Sequence, residues 1–136
     1  PNMKQLIIIL LLATISTIAR AEVVKIDNEQ LIALIEKQVP IIDIRREEEW
    51  LQTGVVEGSI LMTFFDKAGK ADVSSWLQKL APVASKEEPF ILICRTGRRT
   101  GIVADFLDKK IGYTRVYDVA NGITEWIKTG NPIVKP

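Results

Sequence analysis

Cys94, the single cysteine of the chain, has the residue type and surroundings best suited to chemistry. It ends an apolar run that begins at Pro89, and three cations follow it within five residues, Arg95, Arg98 and Arg99. Nearby positive charge favours the ionised thiol, which is the nucleophilic form. The alternative is a half-buried cysteine that ends a core strand beside solvated arginines.

The order of local elements around Cys94 favours a reactive thiol. A buried strand is predicted over residues 89–93 and a helix from Thr100, with Gly97 in the short loop between them. Gly97 permits a positive φ, so the loop can wrap around the sulfur, and the helix directs its N–H groups and positive dipole end at the loop. We expect several backbone N–H groups to converge on Cys94, favour the thiolate and hold an anionic substrate against it.

The composition excludes several classes of function. The chain of 136 residues contains no histidine, which rules out Ser-His-Asp and Cys-His catalysis. With one cysteine a zinc site is not expected, and no segment has the acidic spacing of a calcium loop, so we predict no metal and no cofactor. Residues 22–136 hold 16 basic and 17 acidic side chains, which argues against nucleic-acid binding and makes any anion recognition local.

Residues 1–21 have the pattern of a signal peptide. Lys4 supplies the positive start, Leu6–Leu12 the apolar segment, and small residues end the pattern at Ala21. The apolar run is short for a membrane span, so cleavage near Ala21 is favoured over an uncleaved anchor. We expect a periplasmic or secreted mature chain, residues 22–136, that does not contact a membrane.

Short apolar runs alternate with amphipathic segments along residues 22–136. Helices between successive strands are typical of a single α/β domain with a mostly parallel central sheet and helices on both faces. The most apolar strand should be central in the sheet. The predicted strands are Val23–Ile26, Ile41–Ile44, Ser59–Thr63, Pro89–Ile93 and Tyr113–Val119, and the predicted helices follow Asp27 and cover 45–54, 73–80, 100–110 and 121–130.

Three segments resemble the signatures of the rhodanese sulfurtransferase family. The segment Ile93–Gly101, ICRTGRRTG, resembles the active-site loop of its single-domain members, which commonly read Cys-Arg-x-Gly-x-Arg followed by Ser or Thr. Ile41–Met62 and Val116–Ile133 resemble the N-terminal and C-terminal signatures, and the three motifs stand in family order. With its leader and size, the chain most resembles small periplasmic rhodaneses.

Two departures from the family pattern lie outside the loop. Gly54-Val55 stands where the family often has Gly-His, and Asn121-Gly122 replaces a glycine pair. We expect little effect of the first on the chemistry. Asparagine tolerates a left-handed backbone, so we expect Asn121 to serve in place of glycine.

The resemblance implies a rhodanese-like domain over residues 22–136 that transfers sulfur from thiosulfate or a similar anionic donor. Cys94 would attack the outer sulfur, release sulfite and hold a persulfide, which a thiol or cyanide then discharges. Arg95 would contact the donor, and Arg99 would bind the anion or brace the loop. The implied substrate-binding cradle is the active-site loop, Cys94, Arg95, Thr96, Gly97, Arg98 and Arg99.

Asp43 is a further candidate because it ends a predicted strand on the same side of the sheet as Cys94. We expect it to accept hydrogen bonds from nearby backbone and to lie near the pocket. Arg45 should pair with Glu48 or Glu49 in a structural role. The remaining charges of the run 46–49 are expected to form a solvated helix face.

Two other functions remain open. Related dual-specificity phosphatases place five residues between cysteine and arginine, whereas the residue six places after Cys94 is Thr100, and Arg99 comes one place too early. The other alternative is a non-enzymatic module that carries a persulfide or binds a partner through the same pocket. The residues do not determine the acceptor or the oligomeric state.

Overall fold

Five short strands form one parallel sheet in the computed structural model, which describes residues 22–136. All neighbouring pairs are parallel, and the strand order is β1-β5-β4-β2-β3. The predicted parallel sheet is confirmed, with the apolar strand β4 in its centre. The strands are β1 (Val24–Ile26), β2 (Ile41–Asp43), β3 (Ile60–Leu61), β4 (Phe90–Ile93) and β5 (Val116–Val119).

Five helices connect or follow these strands, and a π-helical turn, Leu107–Ile111, continues the fourth. The helix predicted from Thr100 begins two residues earlier, directly after Gly97. Within residues 22–136, no helix combines the length and apolar character needed to cross a membrane. The helices are α1 (Asn28–Glu36), α2 (Glu47–Thr53), α3 (Val73–Leu80), α4 (Arg98–Phe106) and α5 (Gly122–Lys128).

The sheet is covered on both faces, as predicted. Side chains of α3 and α4 form one hydrophobic cluster with it, and side chains of α1 and α5 form the other. Because side chains alternate along a strand, β4 contributes to both clusters. Leu92 and Cys94 belong to the α3/α4 face, whereas Ile91 and Ile93 belong to the α1/α5 face. The thiol therefore lies on the α4 side of the sheet.

Local sequence signals explain where α1 and α2 begin and end. Asp27, after which the first helix was predicted, accepts from the Gln30 N–H at 2.8 Å, and the Gln30 side chain accepts from the Asp27 N–H at 3.0 Å. The two residues form a capping box. Helix α2 stops at Gly54, whose φ is +79°. The spacing of Ile102, Val103, Phe106 and Leu107 predicts that they share one buried side of α4. For Ile102 this prediction is wrong, because the residue is 55% exposed.

The predicted signal peptide lies outside the described residues. Its cleavage and the export of the chain therefore stay predictions.

Candidate active site

The sulfur of Cys94 lies at the carboxyl end of β4, and the residue is 1% exposed. The Gly97 N–H donates to Sγ at 3.2 Å, and the Thr100 Oγ1 lies 3.4 Å from Sγ. Thr100 is fully buried in the first turn of α4. The sulfur is thus held between one backbone donor and one hydroxyl group.

This geometry corrects one detail of the prediction. Several backbone N–H groups were expected at the sulfur, but within residues 22–136 only that of Gly97 reaches hydrogen-bond distance of Sγ. The second polar neighbour is Thr100, to which the sequence analysis gave no role. Thr100 follows Gly97 by three residues, so the first turn of the helix places its side chain beside the loop.

The predicted positive φ at Gly97 is confirmed at +93°. A Cβ atom at this position would collide with the carbonyl oxygen of Ala120, in the connection between β5 and α5. Glycine is therefore needed at position 97 for two reasons. It adopts the positive φ, and it allows the active-site loop to approach the β5–α5 connection closely.

The start of α5 fixes the other side of the loop. The Ile123 N–H donates to the Cys94 carbonyl at 2.9 Å, and the Thr124 N–H donates to the Arg95 carbonyl at 3.0 Å. A Cβ on Gly122 would collide with the Arg95 carbonyl, and Gly122 has a φ of +62°. Asn121 has a φ of −110°, outside the left-handed region, so the tolerance expected of asparagine is not needed at this position. Only the second glycine of the family pair is required here.

Arg99 braces the loop through an ion pair. Its two terminal nitrogens donate to the two carboxylate oxygens of Glu49 at 2.8 and 2.7 Å. Burial opposes ionisation of Glu49, but hydrogen bonds from Arg99 and from the Arg46 N–H outweigh it and hold the pKa at about 2. The same pairing, against the opposing effect of burial, raises the pKa of Arg99. Of the two roles expected for Arg99, the bracing role is the one that this contact supports.

Asp43 and Arg45 form a second, fully buried ion pair behind the site. Arg45 donates to the Asp43 carboxylate, with a shortest distance of 2.8 Å, and also to Thr53 Oγ1 and the Gly54 carbonyl. The Arg45 N–H donates to Asp43 Oδ1 at 3.1 Å, as expected for a backbone partner. The predicted pairing of Arg45 with Glu48 or Glu49 is wrong.

This pair supports the site from behind. Arg45 binds the carboxyl end of α2, the helix that carries Glu49, while Asp43 lies opposite Ile93 in the sheet register. Asp43 therefore fixes α2 to the sheet beside β4. It lies close to Cys94 in the strand register, but its carboxylate is occupied by Arg45.

A shallow cavity of about 510 Å³ lies over the active-site loop and is here called the mouth. Arg95, Thr96 and Arg98 were predicted for the site and line it, and all three are exposed. Its other walls come from the start of α2, the segment between β3 and α3, and helix α4. These walls include Arg46, Phe65, Asp66, Lys67, Gly69, Arg99 and Ile102.

Arg46 was not predicted as a residue of the site, because it belongs to a charged run that was interpreted as a solvated helix face. Glu48 partly neutralises the positive charge of this wall, since it accepts from Arg46 at 2.8 Å and lies 3.7 Å from Lys67. The signal that points to Arg46 is its position three residues after the end of β2, because the carboxyl ends of parallel strands lie at the same end of the sheet. Arg95 and Arg98 remain the cations best placed to receive an anion from solvent.

A central parallel strand, a cysteine loop and a following helix define an α/β protein with a thiol site at the carboxyl edge of its sheet. The family model described as the rhodanese-like domain matches residues 27–129. The chain belongs to the rhodanese-like domain family.

Two known proteins illustrate this relationship. The rhodanese domain-containing protein CG4456 of Drosophila melanogaster is 35% identical over 91 residues, which cover 65% of this chain and 81% of that protein. The crystal structure of a rhodanese-related protein from Thermoplasma volcanium is 25% identical with a TM-score of 0.62, covering 83% of this chain and 99% of that one.

A third known protein shares the fold. The solution structure of the polysulfide-sulfur transferase homodimer of Wolinella succinogenes has a TM-score of 0.63 at 20% identity, covering 85% of this chain and 80% of that one.

Proposed function

We propose that the protein is a sulfurtransferase that moves sulfane sulfur from thiosulfate, or a similar anionic donor, through a Cys94 persulfide to a thiol or cyanide. One observation carries this proposal. The Cys94 sulfur is held by the Gly97 N–H at 3.2 Å, at the base of a loop whose exposed side chains include Arg95 and Arg98. Membership in a family with sulfurtransferase members supports it.

The reaction divides into two sulfur transfers. In the first, the Cys94 thiolate attacks the outer sulfur of thiosulfate, an S–S bond forms to Cys94, and the original S–S bond breaks to release sulfite. The enzyme then holds a persulfide anion. In the second, cyanide or a thiolate attacks the outer persulfide sulfur, and thiocyanate or a new persulfide leaves with the Cys94 thiolate restored.

The surroundings of Cys94 suit both steps without a histidine base. The Gly97 N–H donates to Sγ, and the Thr100 hydroxyl lies 3.4 Å from Sγ, where either atom can be the donor, so both groups can stabilise a sulfur anion. Arg95 and Arg98 at the mouth attract the donor and stabilise the sulfite that leaves. We assign Cys94 as the nucleophile, Arg95, Thr96 and Arg98 to the donor, and Gly97 and Arg99 to the shape of the loop.

Phosphate-ester hydrolysis fits this site less well. The arginine five places after the cysteine, Arg99, is held by both oxygens of Glu49. A phosphatase of the related type needs its arginine one residue later, where this chain has the buried Thr100. If wild type released phosphate from an aryl phosphate and Cys94→Ser did not, the phosphatase alternative would be favoured instead.

The test is intact-mass measurement after mixing the protein with thiosulfate, with sulfite assayed in the same sample. We expect wild type to gain the mass of one sulfur atom and release sulfite, and Cys94→Ser to do neither. Absence of both in wild type would exclude thiosulfate as the donor. Addition of cyanide or a thiol should then remove the added mass. A persulfide that no acceptor discharges would instead indicate a carrier.

We also propose that the chain is exported. The support is the pattern of residues 1–21, with its cationic start and apolar segment. N-terminal sequencing of the protein recovered from the periplasm or medium should give a start at Glu22. Retention of the full-length chain inside the cell would contradict export.

A further inference from the structure

An apolar cavity of about 360 Å³ lies beside the mouth and is here called the apolar pocket. All of its lining residues are apolar, and they include Phe64, Phe65, Val73, Ile102 and Phe106. Phe65 and Ile102 also line the mouth, so the two cavities are adjacent. Thiosulfate carries no apolar group, so its transfer to Cys94 makes no use of this pocket.

One wall of the apolar pocket is fixed to the sheet. The Phe64 N–H donates to the Ile44 carbonyl at 3.1 Å, directly after β2, and Phe64 is only 7% exposed. Its ring meets the Phe65 and Trp76 rings edge to face, with centroids 4.8 and 5.0 Å apart. This wall is therefore preformed, as is usual for sites that bind small molecules.

The opposite wall, helix α4, arranges a cation and apolar side chains in order. Arg98, Ile102 and Phe106 recur every four residues, so they lie along one side of the helix at steps of about 6 Å. Arg98 lines the mouth, Ile102 lines both cavities, and Phe106 lines the apolar pocket. A ligand that lies along this side meets a positive charge first and apolar surface next.

The apolar pocket is on the same face of the sheet as the Cys94 sulfur. Cys94 and Phe64 are buried members of one hydrophobic cluster, and Phe65 and Phe106 pack against it. A donor whose outer sulfur reaches Cys94 can therefore place an organic group in the pocket. An apolar cavity of about 150 Å³ already accepts benzene, so this pocket is large enough for a phenyl group. Such a group would cover Ile102, which is 55% exposed.

We propose that the apolar pocket selects the organic group of the sulfur donor, and that the preferred donor is an organic thiosulfonate, R–SO₂–S⁻, with an apolar R. The role of the pocket in catalysis rests on the proposed function, in which an anionic donor gives its outer sulfur to Cys94. The Cys94 thiolate attacks that sulfur and an S–S bond forms. The S–S bond of the donor breaks, and its electron pair leaves with the sulfinate, R–SO₂⁻. The persulfide is the same as the one formed from thiosulfate.

The test compares benzenethiosulfonate with methanethiosulfonate, which share their reacting atoms and differ in the organic group. The rate of persulfide formation is followed by intact mass, and each rate is divided by the rate of the same donor with a small thiol in solution. We expect wild type to prefer the phenyl donor about tenfold or more after this correction. A corrected ratio near one would overturn the proposal.

Two variants test whether the apolar pocket is the source of the preference. Ile102→Asn removes an apolar side chain from the boundary with the mouth, and Ala71→Leu adds a larger side chain inside the pocket. Each should lower the corrected ratio to about a third of the wild-type value or less. An unchanged ratio in both variants would contradict the assignment of the preference to this pocket.

Ile127→Asn is the matched control. Ile127 is also an exposed isoleucine of a helix, at 38%, but it belongs to α5, which covers the opposite face of the sheet. The control should leave the corrected ratio within about 1.5-fold of wild type, since Ile127 lines neither cavity. A fall equal to that of Ile102→Asn would mean that the preference does not come from the apolar pocket.

Binding of the donor can be measured without sulfur transfer in Cys94→Ser. Titration with benzenethiosulfonate, followed by amide NMR, should shift the signals of Phe65, Ile102 and Phe106. Methanethiosulfonate should bind about fivefold more weakly or less. Equal affinities, or no shifts at these residues, would overturn the proposal. Shifts at these residues together with no persulfide in wild type from any donor would instead refute the proposed function and leave the selectivity of the pocket supported.

Discussion

Arg98 and Arg99 are adjacent in sequence, yet they belong to different regions of the active-site loop. Arg99 belongs to a fixed side, where Glu49 holds its guanidinium with two hydrogen bonds and Gly97 lies against the β5–α5 connection. Arg98 belongs with Arg95 to an open side, where both side chains are exposed and line the mouth. Arg99 also lines the mouth, but its guanidinium is held by Glu49. The comparison shows that cations in one motif divide into one that braces the loop through a carboxylate and others whose charge is exposed to solvent.

The difference arises from the direction of each side chain rather than from residue type. Arg99 points toward α2, where Glu49 is 5% exposed, so the pair gains from a partly desolvated environment. Arg95 and Arg98 point into solvent, where a fixed partner would contribute little. Their charge therefore remains available for an incoming anion.

The largest expected effect comes from the fixed side, with Gly97→Ala. The added Cβ would collide with the Ala120 carbonyl and force alanine into a φ of +93°, so we expect a loss of about 3 kcal/mol or more in the free energy of unfolding. Persulfide formation should be lost as well. Urea unfolding and the mass assay measure the two effects.

Gly112→Ala is the matched control for this variant. Gly112 also has a φ of +93°, but no atom lies within 4 Å of a Cβ built there. It should lose only the conformational part, about 1–2 kcal/mol, and keep persulfide formation. Equal losses in the two variants would mean that the contact with Ala120 contributes nothing.

Next in size is Glu49→Gln, which removes the carboxylate that braces Arg99. Because the partner cation is left with only 22% of its side chain exposed, we expect a loss of about 2–3 kcal/mol in the free energy of unfolding. Glu48→Gln is the control, since the Glu48 side chain is 48% exposed and its pairing should be worth about 0.5 kcal/mol or less. Similar losses in urea unfolding would remove the distinction between the two glutamates.

The lowered pKa of the Glu49 carboxyl group predicts how the free energy of unfolding depends on pH. The pKa of Glu49 is lowered from 4.5 to about 2, so its contribution is fully present above about 4.5 and is lost as the pH falls toward 2. Between pH 6 and pH 3, wild type should therefore lose more stability than Glu49→Gln. Parallel stability curves for the two proteins over this range would show that Glu49 is not held in its ionised form.

The smallest effect is expected on the open side. Arg95→Gln should raise KM for thiosulfate about three- to tenfold, with little change in the free energy of unfolding, because the side chain is exposed and its proposed role is to bind the anion. Arg115→Gln removes the same charge at the opposite edge of the sheet, before β5, and should leave KM unchanged. Equal increases in KM would indicate general attraction by net charge instead of a site at the mouth.

Local patterns in the sequence determined much of the architecture and the position of the thiol. Apolar runs of strand length, helix caps such as Asp27 and stops such as Gly54 depend on neighbours within a few residues, so they can be identified from the sequence. The strand–loop–helix order likewise placed Cys94 at the carboxyl end of a strand, with Gly97 as the residue that permits a positive φ in the loop. These features follow from periodicity and backbone sterics.

The tertiary structure alone decided which side chains are partners. Glu49 lies 50 residues before Arg99, and only the orientation of α2 selects it over the neighbouring Glu48. The burial of Asp118 against the first turn of α4 also depends on how the helix packs on the sheet. From the sequence alone, a charged residue has several possible partners of opposite charge. The packing of distant elements determines which of them it binds, because the strength of an ion pair depends on a separation of a few ångströms.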